Sequence, residues 1–402
     1  SCVTAYNYYK HDNRYIFIKR KHAGSITMTV KMNDEETGLN LEALLAKLKA
    51  EEDLSKSEIA FLLNLEDNDQ IEALFREARD MRRKYFGNKI FMYGFIYAST
   101  YCRNDCNFCL FRRSNSQTRR YRKTKQEIVT AALRLADSGV HLIDLTMGED
   151  PAILNSGGAG FEQLVDLVST LQKETGLPIM VSPGVVSAHD LRKLASAGAV
   201  WYACYQETHS KSLFKKLRPG QDYDNRLQIK AAAHHQGLLF EEGLLCGIGE
   251  TAEQIAQSLE TMKQLEADQV RVMNFVPQPG TPMAGQTPPE PLRETLIAAV
   301  MRLVFPDRLI PASLDVEGIA GLESRLNSGA NVVTSIVPPG EGLVGVAQHS
   351  LNIEEGGRTT SSVKKVLEGI GLEPATREEY KNWIRHRHQA IANRETVPGA
   401  AC

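Results

Sequence analysis

The chain has 402 residues, 42% hydrophobic and 24% charged, with 47 Lys and Arg against 49 Asp and Glu for a formal net charge of −2. These are the proportions of an ordinary folded protein, which excludes a wholly disordered chain and gives no net electrostatic footprint for nucleic acid or an anionic membrane. No run of about 18 apolar residues occurs, so no transmembrane helix is expected, and the longest apolar stretch, 295–305, is broken by Arg302.

The chain begins at Ser1, and its first methionines are Met28 and Met32. Residues 1–35 read as a disordered or non-native extension, with a basic nucleic-acid arm as the rival reading. The apolar stretch 15–18 is too short for a signal-peptide core, so a cytoplasmic protein is expected. Residues 36–89 read as a helical extension. Leu41, Leu44, Leu45 and Leu48 keep helical spacing. Ser55 and Glu58 form a capping-box pattern, and Asn68 or Asp69 is placed to cap a third helix through Ile71, Leu74, Ala78 and Met81. From residue 90, apolar or β-branched runs at 91–98, 141–147, 178–182, 200–205, 238–246, 269–275, 309–314 and 331–337 alternate with amphipathic stretches. Those stretches lie at 125–138, 160–175, 187–198, 222–235, 251–267 and 290–304. Such alternation implies parallel strands with right-handed crossovers. About eight units over residues 90–337 predict an α/β fold, a (βα)8 TIM-type barrel, with a doubly wound sheet as the alternative. Residues 338–402 read as a loop and helices, near 360–370 and 376–392, packing on the barrel. The G-x-G-x-x-G at 340–345 opens no helix and reads as a loop.

Seven cysteines occur: Cys2, Cys102, Cys106, Cys109, Cys204, Cys246 and Cys402. An odd number in a long chain does not read as a disulfide framework. Cys102, Cys106 and Cys109 make C-x3-C-x2-C on the loop after the first barrel strand, the end where such barrels keep their chemistry. A closed zinc or iron–sulfur site takes four protein ligands. Neither Cys204 nor Cys246 has the spacing of a local fourth, and both read as packing. Three thiolates on a cubane cluster leave one iron open to a substrate or cofactor. His234, His235, His386 and His388 show no partnered constellation and read as surface residues.

This triplet resembles the radical S-adenosylmethionine superfamily. The resemblance implies a [4Fe–4S] cluster held by Cys102, Cys106 and Cys109, with S-adenosylmethionine on the open iron and a 5′-deoxyadenosyl radical as the product of its cleavage. It implies cofactor contacts from Phe108 at the adenine, from Gly148 and Glu149 at the methionine ammonium, and from Glu207 as an acidic contact. Arg226 and Arg218 are implied at the methionine carboxylate. The match is partial at Met147, where the family often has Gly.

Residues 95–102, 144–151, 205–208, 271–275, 308–315 and 329–335 resemble a narrower family, the methylornithine-forming lysine mutases of pyrrolysine biosynthesis. The resemblance covers about residues 40–337. It implies a sealed cavity in which L-lysine is split into a glycyl radical and an aminobutene and rejoined as (3R)-3-methyl-D-ornithine. A low-potential electron donor is implied as a partner. Substrate contacts are implied for Asp144, Arg271, Ser313 and Asp315. The residue pattern agrees: period two puts Asp144 on one face with Leu142 and Thr146, points Arg271 away from Val270 and Val272, and pairs Ser313 with Asp315. Buried charges need partners. Two carboxylates, a guanidinium and a hydroxyl suit an amino acid; an internal network between Arg271 and the aspartates is the rival. No catalytic side chain is expected beyond the cluster and its cofactor. Two other functions remain open: a biotin-synthase-like radical enzyme for a different small molecule, and a non-catalytic iron–sulfur redox sensor. No nucleic-acid or membrane partner is expected, and the pattern fixes no oligomeric state.

Overall fold

The computed structural model describes residues 7–11, 14–20, 26–31, 39–154, 158–338 and 357–395. The G-x-G-x-x-G at 340–345, Cys2 and Cys402 lie outside the described residues. Strands β1 (Asn7–His11), β2 (Arg14–Arg20) and β3 (Ile26–Lys31) form an antiparallel sheet in that order. The reading of residues 1–35 as an extension did not foresee this pairing; its other residues lie outside the described ones.

Three helices precede the barrel: α1 (Leu41–Lys49), α2 (Lys56–Leu63) and α3 (Asn68–Phe86). Ser55 and Glu58 form the reciprocal capping box at α2. Asp67, rather than Asn68 or Asp69, caps α3 by accepting from the Asp69 and Gln70 N–H groups. A cap must stand before the helix for its carboxylate to reach back to amides two or three residues on.

The eight parallel strands are β4 (Lys89–Ser99), β5 (Leu142–Met147), β6 (Ile179–Ser182), β7 (Ala199–Ala203), β8 (Leu239–Cys246), β9 (Gln269–Asn274), β10 (Pro311–Ser313) and β11 (Val332–Ile336). They run in the order β10-β11-β4-β5-β6-β7-β8-β9. A bridge between Gln269 and Leu309 draws β9 toward β10 and closes the ring. This is the (βα)8 barrel that the alternation predicts. Around it lie α4 (Lys125–Ser138), α5 (Pro151–Leu154), α6 (Ala159–Thr175), α7 (Ala188–Ser196), α8 (Lys211–Leu217), α9 (Tyr223–His235), α10 (Ala252–Gln264), α11 (Pro291–Val304) and α12 (Leu322–Asn327). Thr124, Ser187 and Thr251 open α4, α7 and α10 with capping boxes. Each box satisfies amides that the first helical turn leaves without partners. No helix among the described residues is long and apolar enough to cross a membrane.

The chain ends the described fold with α13 (Thr360–Gly369), β12 (Glu373–Pro374) and α14 (Arg377–Glu395). Strand β12 pairs with the start of β4, which brings α14 across the floor of the barrel. There Phe91, Tyr93, Leu142, Met180, Trp201, Leu239 and Val332 from the strands, with Leu309 just before β10, pack with Tyr380 and Ile384 of α14. Trp383 stacks on Trp201 with ring centroids 5.9 Å apart. The floor is therefore apolar and closed.

The sequence reading places His234 on the surface. In the structure its Nε2 lies 2.8 Å from Oδ2 of Asp268, a fully buried carboxylate. Arg387 of α14 donates to Asp268 Oδ1 from Nε at 3.0 Å and Nη2 at 2.7 Å. The pairing depends on a helix more than a hundred residues downstream, so no local spacing could reveal it. Burial pushes the Asp268 carboxyl up, but His234 and Arg387 more than offset it and hold the group below its usual range. Replacing Arg387 with Leu removes two hydrogen bonds from the buried Asp268 carboxylate. It should cost about 3 kcal/mol, seen as a lower melting temperature and faster hydrogen exchange across residues 377–395.

Candidate active site

At the opposite end the strands open into a cavity of about 240 Å³. Its walls include Cys102, Cys106, Phe108, Cys109, Asp144, Gly148, Glu149, Glu207, Arg218, Arg226, Arg271, Ser313 and Asp315, so the structure brings every residue singled out in the sequence to one space.

The cysteine loop follows β4 and is pinned by the turn after β5. Gly148 N–H donates to Ser99 O at 2.9 Å, and Arg103 N–H donates to Glu149 O at 2.9 Å. A Cβ at Gly148 would collide with the Tyr101 carbonyl and crowd Cys102. Glycine is thus required for the turn to lie against the loop. Asp150 holds the loop's base: its buried carboxylate accepts from Ser99 Oγ at 2.5 Å and from Arg122 Nε and Nη2 at 2.6 and 2.9 Å.

Four charged side chains form two buried pairs beside the thiols. Arg226 Nη1 meets Glu149 Oε1 at 3.0 Å, and Arg218 Nη2 meets Glu207 Oε1 at 2.6 Å. Arg218 is buried, so its pair with Glu207 is not a surface salt bridge. Its Nη1 also lies 3.3 Å from Cys106 Sγ, and Gln221 Nε2 lies 3.0 Å from the same sulfur. Burial pushes the Glu149 carboxyl up, yet Arg226 and Arg103 pull it below its ordinary range. Glu207 has φ +68°, the left-handed region that side chains other than glycine rarely adopt. Behind it, Lys230 and Glu242 form a fully buried ion pair, and Glu242 Oε1 accepts from the Gln206 N–H at 2.7 Å. This network clamps the turn that carries Glu207. Glu207 Oε2 and Arg218 Nε are buried without a hydrogen-bond partner among the described residues.

Deeper in the barrel lies a layer of charge. Arg271 Nε donates to Glu241 Oε1 at 2.7 Å, and Tyr205 OH donates to Glu241 Oε2 at 2.7 Å. Gly243 leaves room for the Tyr205 ring, which a Cβ would meet at 2.8 Å. The rival network of Arg271 with the aspartates is therefore not what forms; the partner is Glu241. Asp315 Oδ1 accepts from Arg358 Nη2 at 3.0 Å, and its Oδ2 accepts from Ser335 at 2.8 Å and Ser313 at 3.3 Å. Asp144 differs: among the described residues it accepts from Thr146 Oγ1 at 2.8 Å and forms no ion pair. Burial, then the neighbouring Glu241 charge, pushes its carboxyl up to about 7.

Glu241, Tyr205, Ser335 and Arg358 were not singled out as lumen residues in the sequence. Glu241 left a signal, being a charged residue in a fully buried apolar strand with the parity of Leu239 and Gly243. Arg358 left none, because it arrives from a distant segment. Cys204 lies buried in the cavity wall, and Cys246 Sγ faces Asn274 Oδ1 at 3.0 Å.

Residues 96–262 match the radical SAM superfamily. A parallel barrel of this build, with three cysteines past its first strand, is a radical SAM enzyme. The chain is also 31% identical to the [FeFe] hydrogenase maturase subunit HydE of Thermotoga maritima, over 72% of this chain and 82% of that protein. The match to 3-methylornithine synthase is broader: 44% identity to the Methanosarcina acetivorans protein over 83% of this chain and 93% of that one. The Methanosarcina barkeri protein gives 44% over 82% and 92%. A crystal structure of methylornithine synthase superposes with a TM-score of 0.80 and 43% identity, over 85% of this chain and 99% of that one. The chain belongs to the 3-methylornithine synthase family.

Members of the superfamily use a [4Fe–4S] cluster and S-adenosylmethionine, and the residues present fit both. Cys102, Cys106 and Cys109 are unbridged and line one cavity. No compact group for a single metal ion occurs among the described residues. Cubane ligands attach to different irons and stand farther apart than ligands of one ion. The buried, unpartnered Glu207 Oε2 and Arg218 Nε suit a polar cofactor. Substituting Gly148 with Ala should push the cysteine loop off the β5 turn. Reconstituted protein would then hold less than about half the wild-type iron, read by iron analysis and charge-transfer absorbance, with little change in melting temperature.

Proposed function

We propose that the chain rearranges L-lysine into (3R)-3-methyl-D-ornithine, the first step of pyrrolysine biosynthesis. The observation that carries this reading is Asp144, a buried carboxylate in no ion pair among the described residues, set in the same cavity as a guanidinium already fixed by Glu241. Lysine carries two ammonium groups and one carboxylate, so it needs two anionic sites and one cationic site. Arg271 gives Nε to Glu241, and its Nη1 and Nη2 make no hydrogen bond among the described residues. They offer a fork to the substrate carboxylate. Asp144 and Asp315 take the two ammonium groups, and Ser313 adds a hydroxyl. When bound, the cluster and S-adenosylmethionine supply the radical that removes hydrogen from a substrate carbon. Gly148, Glu149, Arg226, Glu207, Arg218 and Phe108 hold the cofactor. The sealed floor keeps water and solvent-borne hydrogen donors away from reactive fragments.

Anaerobic reconstitution followed by dithionite, S-adenosylmethionine and L-lysine should yield 5′-deoxyadenosine and an isomer of lysine, separable by mass spectrometry. Deoxyadenosine without the isomer would discard lysine and favour a different small-molecule substrate. The pH dependence gives a second check. Asp144 is raised to about 7, with Glu241, Arg271 and Asp315 as the charged groups facing it. The empty enzyme therefore favours the protonated form and loses that stabilisation as pH rises through 7. Lysine needs the ionised form, so its affinity should fall by up to about tenfold per pH unit below 7. Calorimetry at about pH 6 in two buffers of different ionisation enthalpy should then show about one proton released per lysine bound, and almost none at pH 8. In Asp144→Asn the proton release should vanish, and binding at pH 8 should weaken by about tenfold or more.

A further inference from the structure

Among the described residues, the carboxylates of the deep layer are answered by guanidinium groups, with Asp144 as the exception. Glu241 is met by Arg271 at 2.7 Å, and Asp315 by Arg358 at 3.0 Å. Glu294, which also lines the cavity, takes Arg325 through both oxygens at 2.9 and 3.0 Å. Arg325 also meets Glu317, whose side chain is 34% exposed and so reaches solvent. Asp144 accepts from Thr146 and is in no ion pair among the described residues.

Arg358 does not line the cavity; it is buried behind Asp315 and Ser335, which do. Its Nε donates to Ser335 O at 3.0 Å and its Nη2 to Asp315 Oδ1 at 3.0 Å. Ser335 has φ +66°, a left-handed backbone that needs outside support in a residue with a side chain. Its hydroxyl donates to Asp315 Oδ2 at 2.8 Å, and Ser313 adds a longer bond at 3.3 Å. A carboxylate has about four acceptor positions, so Asp315 keeps roughly one for a ligand. Its charge is already balanced. An ammonium group placed there gains a hydrogen bond, whereas one placed at Asp144 also meets an uncompensated charge.

We infer that Arg358 is a positioning residue that sets the ligand charge this cavity accepts. By balancing Asp315 it leaves Asp144 as the one uncompensated carboxylate of the layer. An amino acid with a single net positive charge is then admitted, and the decarboxylated diamine, with two, is rejected. The inference rests on the reading of Asp144, Arg271 and Asp315 as substrate contacts. Over a closed apolar floor, a second positive charge with no counter-charge is costly. The diamine also forfeits the carboxylate contact to Arg271, but that loss is the same whatever stands at position 358. A change in ranking on substitution therefore reports Arg358 alone. Its segment should stay docked when the side chain changes, because Val337 N–H donates to the Arg358 carbonyl at 2.9 Å and Thr359 caps α13.

The test uses the cluster-loaded full chain with S-adenosylmethionine and no reductant, at pH 8, where Asp144 is mostly ionised. Calorimetry compares L-lysine, 1,5-diaminopentane and 6-aminohexanoate, which carry one, two and no net positive charges. The wild type should bind lysine about tenfold or more tighter than the diamine. In Arg358→Gln the affinity of the diamine relative to either other ligand should rise by about tenfold or more. Arg358→Lys keeps the charge and loses the fork, so its ranking should stay within about threefold of the wild type even where all affinities fall. Asp315→Asn leaves Arg358 unbalanced and should move the ranking by about tenfold against the diamine; it decides the question if the Gln variant does not fold. Iron content and S-adenosylmethionine affinity should match the wild type in all three variants. The inference is overturned if Arg358→Gln or Asp315→Asn leaves the ranking unmoved, if Arg358→Lys shifts it as far as Arg358→Gln, or if the wild type binds none of the three ligands. A wild type that makes no lysine isomer, while Arg358→Gln still raises the diamine over 6-aminohexanoate, would defeat the reaction assignment and leave the role of Arg358 standing.

Discussion

Arg271 and Glu241 face each other inside a barrel whose far end is closed, so neither can turn to bulk water for its counter-charge. A guanidinium buried this way persists only if its partner is equally fixed. Glu241 is held from its second oxygen by Tyr205, and Tyr205 fits because position 243 is glycine. The rest of the lumen follows from that chain of support. Arg271 is oriented before any ligand arrives, with two nitrogens uncommitted. Burial, and then the charge of Glu241, makes ionisation of Asp144 costly.

The closed floor is what gives those charges their strength. Tyr93, Trp201, Tyr380 and Trp383 exclude water from below, so the charged layer has an apolar base. In such surroundings a charge interacts more strongly and an unpartnered one costs more. Helix α14 owes its place to the β12 pairing and to the Arg387–Asp268–His234 contact. A surface ion pair would be a weak fastener; one around a fully buried carboxylate holds because breaking it strands the charge. The C-terminal segment thus serves the site twice, through α14 below and through Arg358 on Asp315 above.

Much of this was legible because barrels write themselves locally. Eight apolar runs separated by amphipathic stretches gave the strands, and the cysteine spacing marked the end that does chemistry. Alternation sufficed for Asp144 and Arg271, since a strand has two faces and their neighbours claimed the other one. What stayed hidden were contacts between distant segments. Glu241 and Glu242 adjoin in sequence, yet one points inward to Arg271 and the other outward to Lys230 of α9. The parity was readable; the partners were not. His234 looked like a surface residue because Asp268 and Arg387 are brought to it only by tertiary packing. Arg358 and the Asp67 cap were missed for opposite reasons, one too remote for any spacing rule and the other a single residue from the position chosen.

Two kinds of charged site coexist in the cavity, and they answer a ligand differently. Beside the cysteines, Glu149 is ion-paired with both Arg226 and Arg103, and Glu207 with Arg218. Asp144 has no such partner. It can shed its charge by holding a proton, or keep it by accepting a cation, and the two compete for one carboxylate. On the proposed substrate roles, an amino acid with only its α-ammonium and α-carboxylate would be satisfied by Arg271 and Asp315 and leave Asp144 to its proton. A second ammonium displaces that proton. In the proposed reading this exchange is how a diamino acid is told from a monoamino one, by a carboxylate whose empty state is poised near neutrality.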